Sequence, residues 1–211
     1  MRRSTCSVCF VALLAGLCVA PAAARDNELS LTLGYTHLSL DAELEFLDIT
    51  EITSLDDTGG IYGGIRFSRS IFVEQLRLGS GVQVARYSTD GRAVPGLFEI
   101  ERERFLEIAP ELQLSWRQRI GERFFIEPGI GGGIVIGNYR ARGVTLAGLP
   151  QDDVNEWQVG YGVRPFVRIG WELERVVVGL EASHRWTRIE YDEIDASTRE
   201  WMAGAFVSFR F

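Results

Sequence analysis

Trp157-Gln-Val-Gly-Tyr-Gly-Val-Arg-Pro-Phe-Val-Arg-Ile-Gly-Trp171 decides the fold. Trp157, Val159, Tyr161, Val163, Val167, Ile169 and Trp171 share one parity, while Gln158, Gly160, Gly162, Arg164 and Arg168 share the other. Strand side chains alternate between two faces. The stretch therefore reads as one long strand, with an apolar wall that ends in tryptophan at both limits and a second wall of glycine and arginine.

The same period recurs through the chain, and no segment after Arg25 keeps a 3.6-residue period. Leu29, Leu31, Leu33 and Tyr35 alternate with small polar residues, and Ile61 to Phe67 alternate with Tyr62, Gly64 and Arg66. Phe72 to Val84 face away from Arg77, and Leu106 to Trp116 face away from Glu107 and Glu111. Phe124 to Ile136 oppose Glu127, and Val176 to Trp186 oppose Glu181 and Arg185. The eighth segment sets Ala203, Ala205, Val207, Phe209 and Phe211 against Gly204, Phe206, Ser208 and Arg210.

Connections 68–71, 117–122 and 172–175 are short, whereas 41–58, 88–101, 140–155 and 188–199 are long and polar. An even number of long strands with short turns on one side predicts an all-β, eight-stranded antiparallel up-and-down transmembrane β-barrel. Pro110, Pro128 and Pro165 fall mid-strand and remove ladder donors, which predicts bulges beside them.

Alternation alone does not say which face is outside. The polar face holds Gly79, Gly81, Gly129, Gly131, Gly133, Gly160 and Gly162. Glycine weakens a solvated strand, but inside a narrow barrel it leaves room for long Arg and Glu side chains. All five tryptophans lie on the apolar face at strand ends: Trp116 and Trp171 beside short turns, Trp157, Trp186 and Trp201 beside long ones. Two aromatic girdles around an aliphatic band match the two interfaces of a bilayer.

Residues 1–24 have the layout of a secretory signal peptide: Arg2 and Arg3, an apolar run from Val8 to Ala20, then Ala22-Ala23-Ala24. The expected division is a signal peptide over 1–24 and a barrel over 25–211. Cys6, Cys9 and Cys18 all fall in the leader, so the exported part has no thiol chemistry. Removing two of the 22 basic residues and none of the 29 acidic ones leaves 20 − 29 = −9, which argues against nucleic acid.

This pattern resembles the small outer-membrane β-barrel superfamily, which includes the transmembrane domain of outer membrane protein A and the OmpX and OmpW types. The resemblance implies the outer membrane as location, with outer-membrane lipid and lipopolysaccharide as surroundings and a monomeric state. It also implies that Val207, Phe209 and Phe211 act as the signal read by the barrel assembly machinery, and nothing follows Phe211 where full-length outer membrane protein A carries a peptidoglycan-binding domain.

Charges on the inner parity must be paired to survive burial. Arg66, Arg77, Glu107, Glu111, Glu127, Arg164, Arg168, Glu181 and Arg185 are expected to fill the lumen as one network. Strand heights suggest Arg77 with Glu111, Glu127 with Arg168, Arg164 with Glu181 and Glu107 with Arg185. A structural or surface-interaction role follows; the alternatives are a narrow OmpW-like channel or binder for small hydrophobic molecules, and a lipid A-modifying enzyme.

No catalytic, metal or cofactor residue is assigned. His37 and Ser39 have a His-x-Ser spacing similar to the lipid A deacylases, without that family's longer signature. The Gly129–Gly133 string continues into Ile134-Val135-Ile136, where a dinucleotide loop would need a helix. The first long connection holds Asp41, Glu43, Glu45, Asp48, Glu51, Asp56 and Asp57, a solvated acidic surface, a recruiter of divalent cations that bridge to lipopolysaccharide, or a site for a basic partner, with Leu47 and Ile49 as its apolar residues.

Overall fold

The computed structural model describes residues 27–46, 49–94, 98–146, 148–190 and 194–211. Eight long strands form: β1 (Asn27–Phe46), β2 (Ile49–Ile71), β3 (Val73–Val94), β4 (Phe98–Trp116), β5 (Phe124–Arg142), β6 (Val154–Leu173), β7 (Val176–Glu190) and β8 (Ile194–Arg210). Each pairs antiparallel with its neighbours in the chain, and β8 pairs back onto β1 from Leu44↔Ile194 down to Glu28↔Arg210. The ring is closed: every one of the eight strands is hydrogen-bonded to two others. The Phe211 amide donates to the Asn27 carbonyl (3.1 Å), carrying the seam to the last residue. Short segments Gln118–Ile120, Thr145–Leu146 and Leu149–Pro150 add ribbon at the two ends.

The face assignment holds along all eight strands. Leu33, Ile61, Val159, Leu180 and Trp201 are more than half exposed, while Ser30, Arg66, Glu127, Arg168 and Ser208 are buried. The molecule is inside out relative to a water-soluble barrel, with charge within and aliphatic surface without.

Three sequence expectations change. First, the long connections are mostly strand. β1 and β2 pair up to Phe46↔Ile49, β3 and β4 up to Val94↔Phe98, and β7 and β8 up to Glu190↔Asp195. A hairpin needs no bilayer to keep its ladder, and β-branched stretches such as Ile49-Thr50-Glu51-Ile52-Thr53 favour it. Asp41, Glu43 and Glu45 belong to β1, and Glu51, Asp56 and Asp57 to β2. Their side chains lie outside the described residues, as do Leu47, Asp48 and the expected signal peptide.

Second, the prolines cause no bulge. The β5–β6 register runs unbroken through Pro128↔Val167 and Ile130↔Pro165, and the β3–β4 register through Val82↔Pro110. Each proline keeps its pairing on one side, and on the other the ladder skips the position without shifting register: Ile108↔Ile136 is followed by Glu111↔Gly133. A strand residue directs its N–H to only one neighbour, so the cost is one bond. The register shifts fall instead between Leu38 and Leu40 and between Ser70 and Ile71.

Third, Phe72 is not a strand residue. It forms the β2–β3 turn with φ 58°, almost fully exposed. Glu174 and Gly121 supply the left-handed residue in the other two short turns, with φ 46° and 70°.

Gly79 and Gly81 lie against Arg66 and Gly131 against Glu111, while other lumen glycines make room for rings. Gly34 and Gly204 face each other across the β1–β8 seam, and a Cβ on Gly34 would stand 2.6 Å from the Tyr62 ring and 2.5 Å from the Gly204 Cα. The Tyr62 ring lies over Gly34 and its hydroxyl reaches Gly204 in the gap. Gly204→Leu is expected to cost about 1–3 kcal/mol by overpacking, read as a lower urea midpoint of the folded barrel; an unchanged midpoint would show that Tyr62 can move aside.

Candidate functional site

The lumen holds three ion-pair clusters stacked from the short turns upward. In the lowest, Glu28 accepts from Arg117 through both carboxylate oxygens (2.8 and 3.1 Å), with Arg77 at 3.4 Å. Glu127 accepts from Arg66 Nη2 (2.5 Å), Arg117 Nε (2.6 Å) and Ser115 Oγ (2.8 Å). The order Arg66–Glu127–Arg117–Glu28–Arg77 alternates in sign. Glu172 extends it towards the mouth through Arg119 (3.1 Å) and Arg210.

The middle cluster is a second alternating chain. Arg164 grips Glu111 with two parallel bonds (3.0 and 2.6 Å) and donates to Glu181 (2.8 Å), while Arg168 Nε meets the other Glu181 oxygen at 2.5 Å. Two donors from one planar guanidinium to one carboxylate is its strongest geometry. The upper cluster centres on Arg185, which donates to Glu107 and Gln83 and lies 3.5 Å from Glu200.

Aromatic rings separate and cover these charges. The Arg117 guanidinium lies 4.1 Å from the Phe125 ring centre and that of Arg168 4.6 Å from Phe206. Phe166 has Arg66 and Arg164 at 5.3 and 5.0 Å. Such contacts gain strength where water is excluded.

All nine charged residues expected in the lumen are buried there. Two of the suggested pairings, Arg164 with Glu181 and Arg185 with Glu107, are present. The other two are replaced. Glu111 leans across β5, where Gly131 and Gly133 leave space, to reach Arg164 on β6, which stands beside Gly131 in register. Arg77 then turns down to Glu28. Glu127 and Arg168 are register partners, but the closest partners of Glu127 are Arg66 and Arg117, and that of Arg168 is Glu181.

Glu28, Arg117, Glu172 and Glu200 were not foreseen as members. Parity alone finds all four, Glu28 with Ser30, Arg117 with Ser115, Glu172 with Arg168 and Glu200 with Met202; Arg117 and Glu172 are hidden only because they open the connections 117–122 and 172–175, whose composition reads as turn. Between the clusters and the short turns, a pocket of about 90 Å³ is lined by Glu74, Gln75, Arg77, Arg117, Gln118 and Arg119.

Outside, all five tryptophans face away from the lumen. Trp171 meets Phe124 edge-on (6.2 Å between centres), and Phe211 lies 6.4 Å from Phe67, both at the short-turn level. At the opposite level His184 is held between Trp186 (4.4 Å) and Trp201 (4.1 Å). His37 and Ser39 share this outer face; their partners in register on β8 are Trp201 and Arg199, an aromatic and a cation rather than an acid. Among the described residues no three His, Cys, Asp or Glu are grouped to hold a metal.

The ring closure and the inverted polarity together decide the fold class. Its fold is that of the small outer-membrane β-barrels. The chain is similar to the crystal structure of the outer membrane protein OprG from Pseudomonas aeruginosa, with TM-score 0.50 and 10% identity over 89% of this chain and 97% of that one. It is also similar to the outer membrane protease OmpT from Escherichia coli, with TM-score 0.56 and 10% identity over 92% of this chain and 99% of that one. No protein-family model matches the chain, and neither does any curated protein sequence.

Proposed function

We propose that the chain is an integral outer-membrane barrel with a closed lumen and a structural or surface-interaction role, without catalysis. The observation that carries this is the ladder of ion pairs across the bore. Arg66, Arg77, Arg117, Arg164, Arg168 and Arg185 are all at most 4% exposed, so side chains fill the space through which a solute would pass. Eight strands enclose little more than that volume. The ion-paired lumen favours this reading over the OmpW-like conduit.

The exterior supports the membrane location. An aliphatic wall bounded by Trp116 and Trp171 below and by Trp157, Trp186 and Trp201 above fits a bilayer, with the short turns on the periplasmic side. Lipid and lipopolysaccharide then surround a single barrel. Val207, Phe209 and Phe211 lie on the outer face of the closing strand, where the assembly machinery would read them.

Two measurements test this. On a denaturing gel the folded protein should migrate differently before and after boiling; a soluble periplasmic protein without that shift overturns the membrane reading. Proteoliposomes containing the folded protein should not swell in sugar solutions, and a clear conductance would overturn the closed lumen.

A further inference from the structure

The outer wall of β4 and β5 carries four arginines in two facing rows. Arg104 stands opposite Arg140 and Arg102 opposite Arg142, and all four side chains are exposed with the parity of Leu106 and Ile136. Arg86 on β3, also exposed, flanks them in register with Leu106. Like charges placed directly across a strand pair repel. Here the sequence does so twice in succession, in a chain whose total charge is −7.

Nearby groups offset this only in part. Arg140 Nε donates to Asn138 Oδ1 (2.8 Å), which is neutral. Arg142 Nε lies 3.9 Å from Asp153 Oδ2, with both side chains more than 60% exposed, a pair of little energy in water. Asp90 stands opposite Arg102 on β3. Glu101, Glu103 and Glu156 have the opposite parity.

The height of the block identifies its ligand. On β4 the apolar wall runs from Trp116 up to Leu106, close to the roughly 9–11 residues a tilted strand needs to cross a bilayer. Arg104 is the next outward residue. On β5 Ile136 ends the apolar wall, and Asn138, the residue between it and Arg140, is in register with Trp157 of the upper girdle. The arginines therefore form a ledge just above the acyl region, where lipid headgroups lie. A guanidinium presents a planar fork that matches phosphate oxygens, and arginine is chosen where such groups are recognised.

We infer that Arg102, Arg104, Arg140 and Arg142 form a docking site for the phosphates of a saccharolipid headgroup in the outer leaflet, whose acyl chains lie along Leu106, Ile108 and Ile136. The inference rests on the outer-membrane reading above. An anion bridging the two rows removes the cross-strand repulsion.

The test uses the folded full-length protein in phosphatidylcholine nanodiscs doped with diphosphorylated lipid A or with the same lipid stripped of phosphate. Native mass spectrometry counts the lipid retained. Wild type should retain the phosphorylated form at least about tenfold better, since each arginine near an anionic headgroup adds to the attraction. Arg102→Gln/Arg104→Gln/Arg140→Gln/Arg142→Gln should lose that preference. Arg123→Gln/Arg175→Gln, which removes two exposed charges at the short-turn mouth, should keep it.

Equal retention by wild type and the fourfold variant overturns the site, and no preference in wild type overturns the ligand class. Displacement by millimolar inorganic phosphate would show a free-anion site instead of a lipid one. A co-purifying protein lost from the fourfold variant, with lipid retention unchanged, would show a protein interface. Failure of wild type to show the gel shift on boiling would instead sink the membrane reading beneath the proposal.

Discussion

Glu127→Leu should lower the unfolding free energy of the barrel by about 3–5 kcal/mol, the usual cost of removing one partner from a buried ion pair. Glu127 is fully buried and accepts from Arg66, Arg117 and Ser115. Without it both guanidiniums remain in the lumen, each with only part of its hydrogen-bonding satisfied. Arg117 keeps Glu28, but Arg66 keeps only Gln113, a neutral acceptor at 2.9 Å. Urea unfolding in micelles, followed by tryptophan fluorescence and the boiling-dependent gel shift, measures the loss.

The comparison variant Ser115→Ala removes one neutral donor to the same carboxylate and should cost only about 1 kcal/mol. If Glu127→Leu cost no more than that, water would already be solvating the lower cluster, and the lumen would be wet rather than filled. Arg66→Met in the Glu127→Leu background should recover part of the loss, because the stranded charge has gone.

The same cluster shows what could be read in advance and what could not. Which residues face inward was legible, because a period of two survives any error in strand limits: Arg66, Glu127 and Arg168 needed only parity. Which of them touch was less legible. Pairing depends on the tilt of the strands and on gaps in the inner wall, and Glu111 reaches Arg164 only because Gly131 and Gly133 on the intervening strand have no side chains. Residues at the strand ends were lost for a different reason. Glu28, Arg117 and Glu172 keep the inward parity, but they lie just outside the strand limits that composition suggests, Glu28 before Leu29 and the other two at the start of the polar connections 117–122 and 172–175. The extension of β1 and β2 to Phe46 and Ile49 was hidden because acidic composition suggests a loop, whereas the ladder is made by main-chain groups that every one of these residues carries.

Ile130→Arg gives the sharpest test of which side meets lipid. Ile130 is midway along the apolar wall of β5, about half exposed, with Leu114 on one side in register and Pro165 on the other. If this face lies against hydrocarbon, a guanidinium near mid-bilayer should destabilise the barrel by about 2–4 kcal/mol in liposomes, with smaller losses towards either girdle. Val159→Arg, two residues from Trp157 on the same wall, provides the shallower position and should cost less. Were the exposed face in water instead, both changes would stay within about 0.5 kcal/mol, as surface substitutions usually do. A depth-dependent cost cannot arise from loss of packing alone, since both side chains point away from the lumen and fill no core. Equal and small effects at the two positions would mean that the apolar wall faces solvent or another chain rather than lipid, and the aromatic girdles would then need a different explanation.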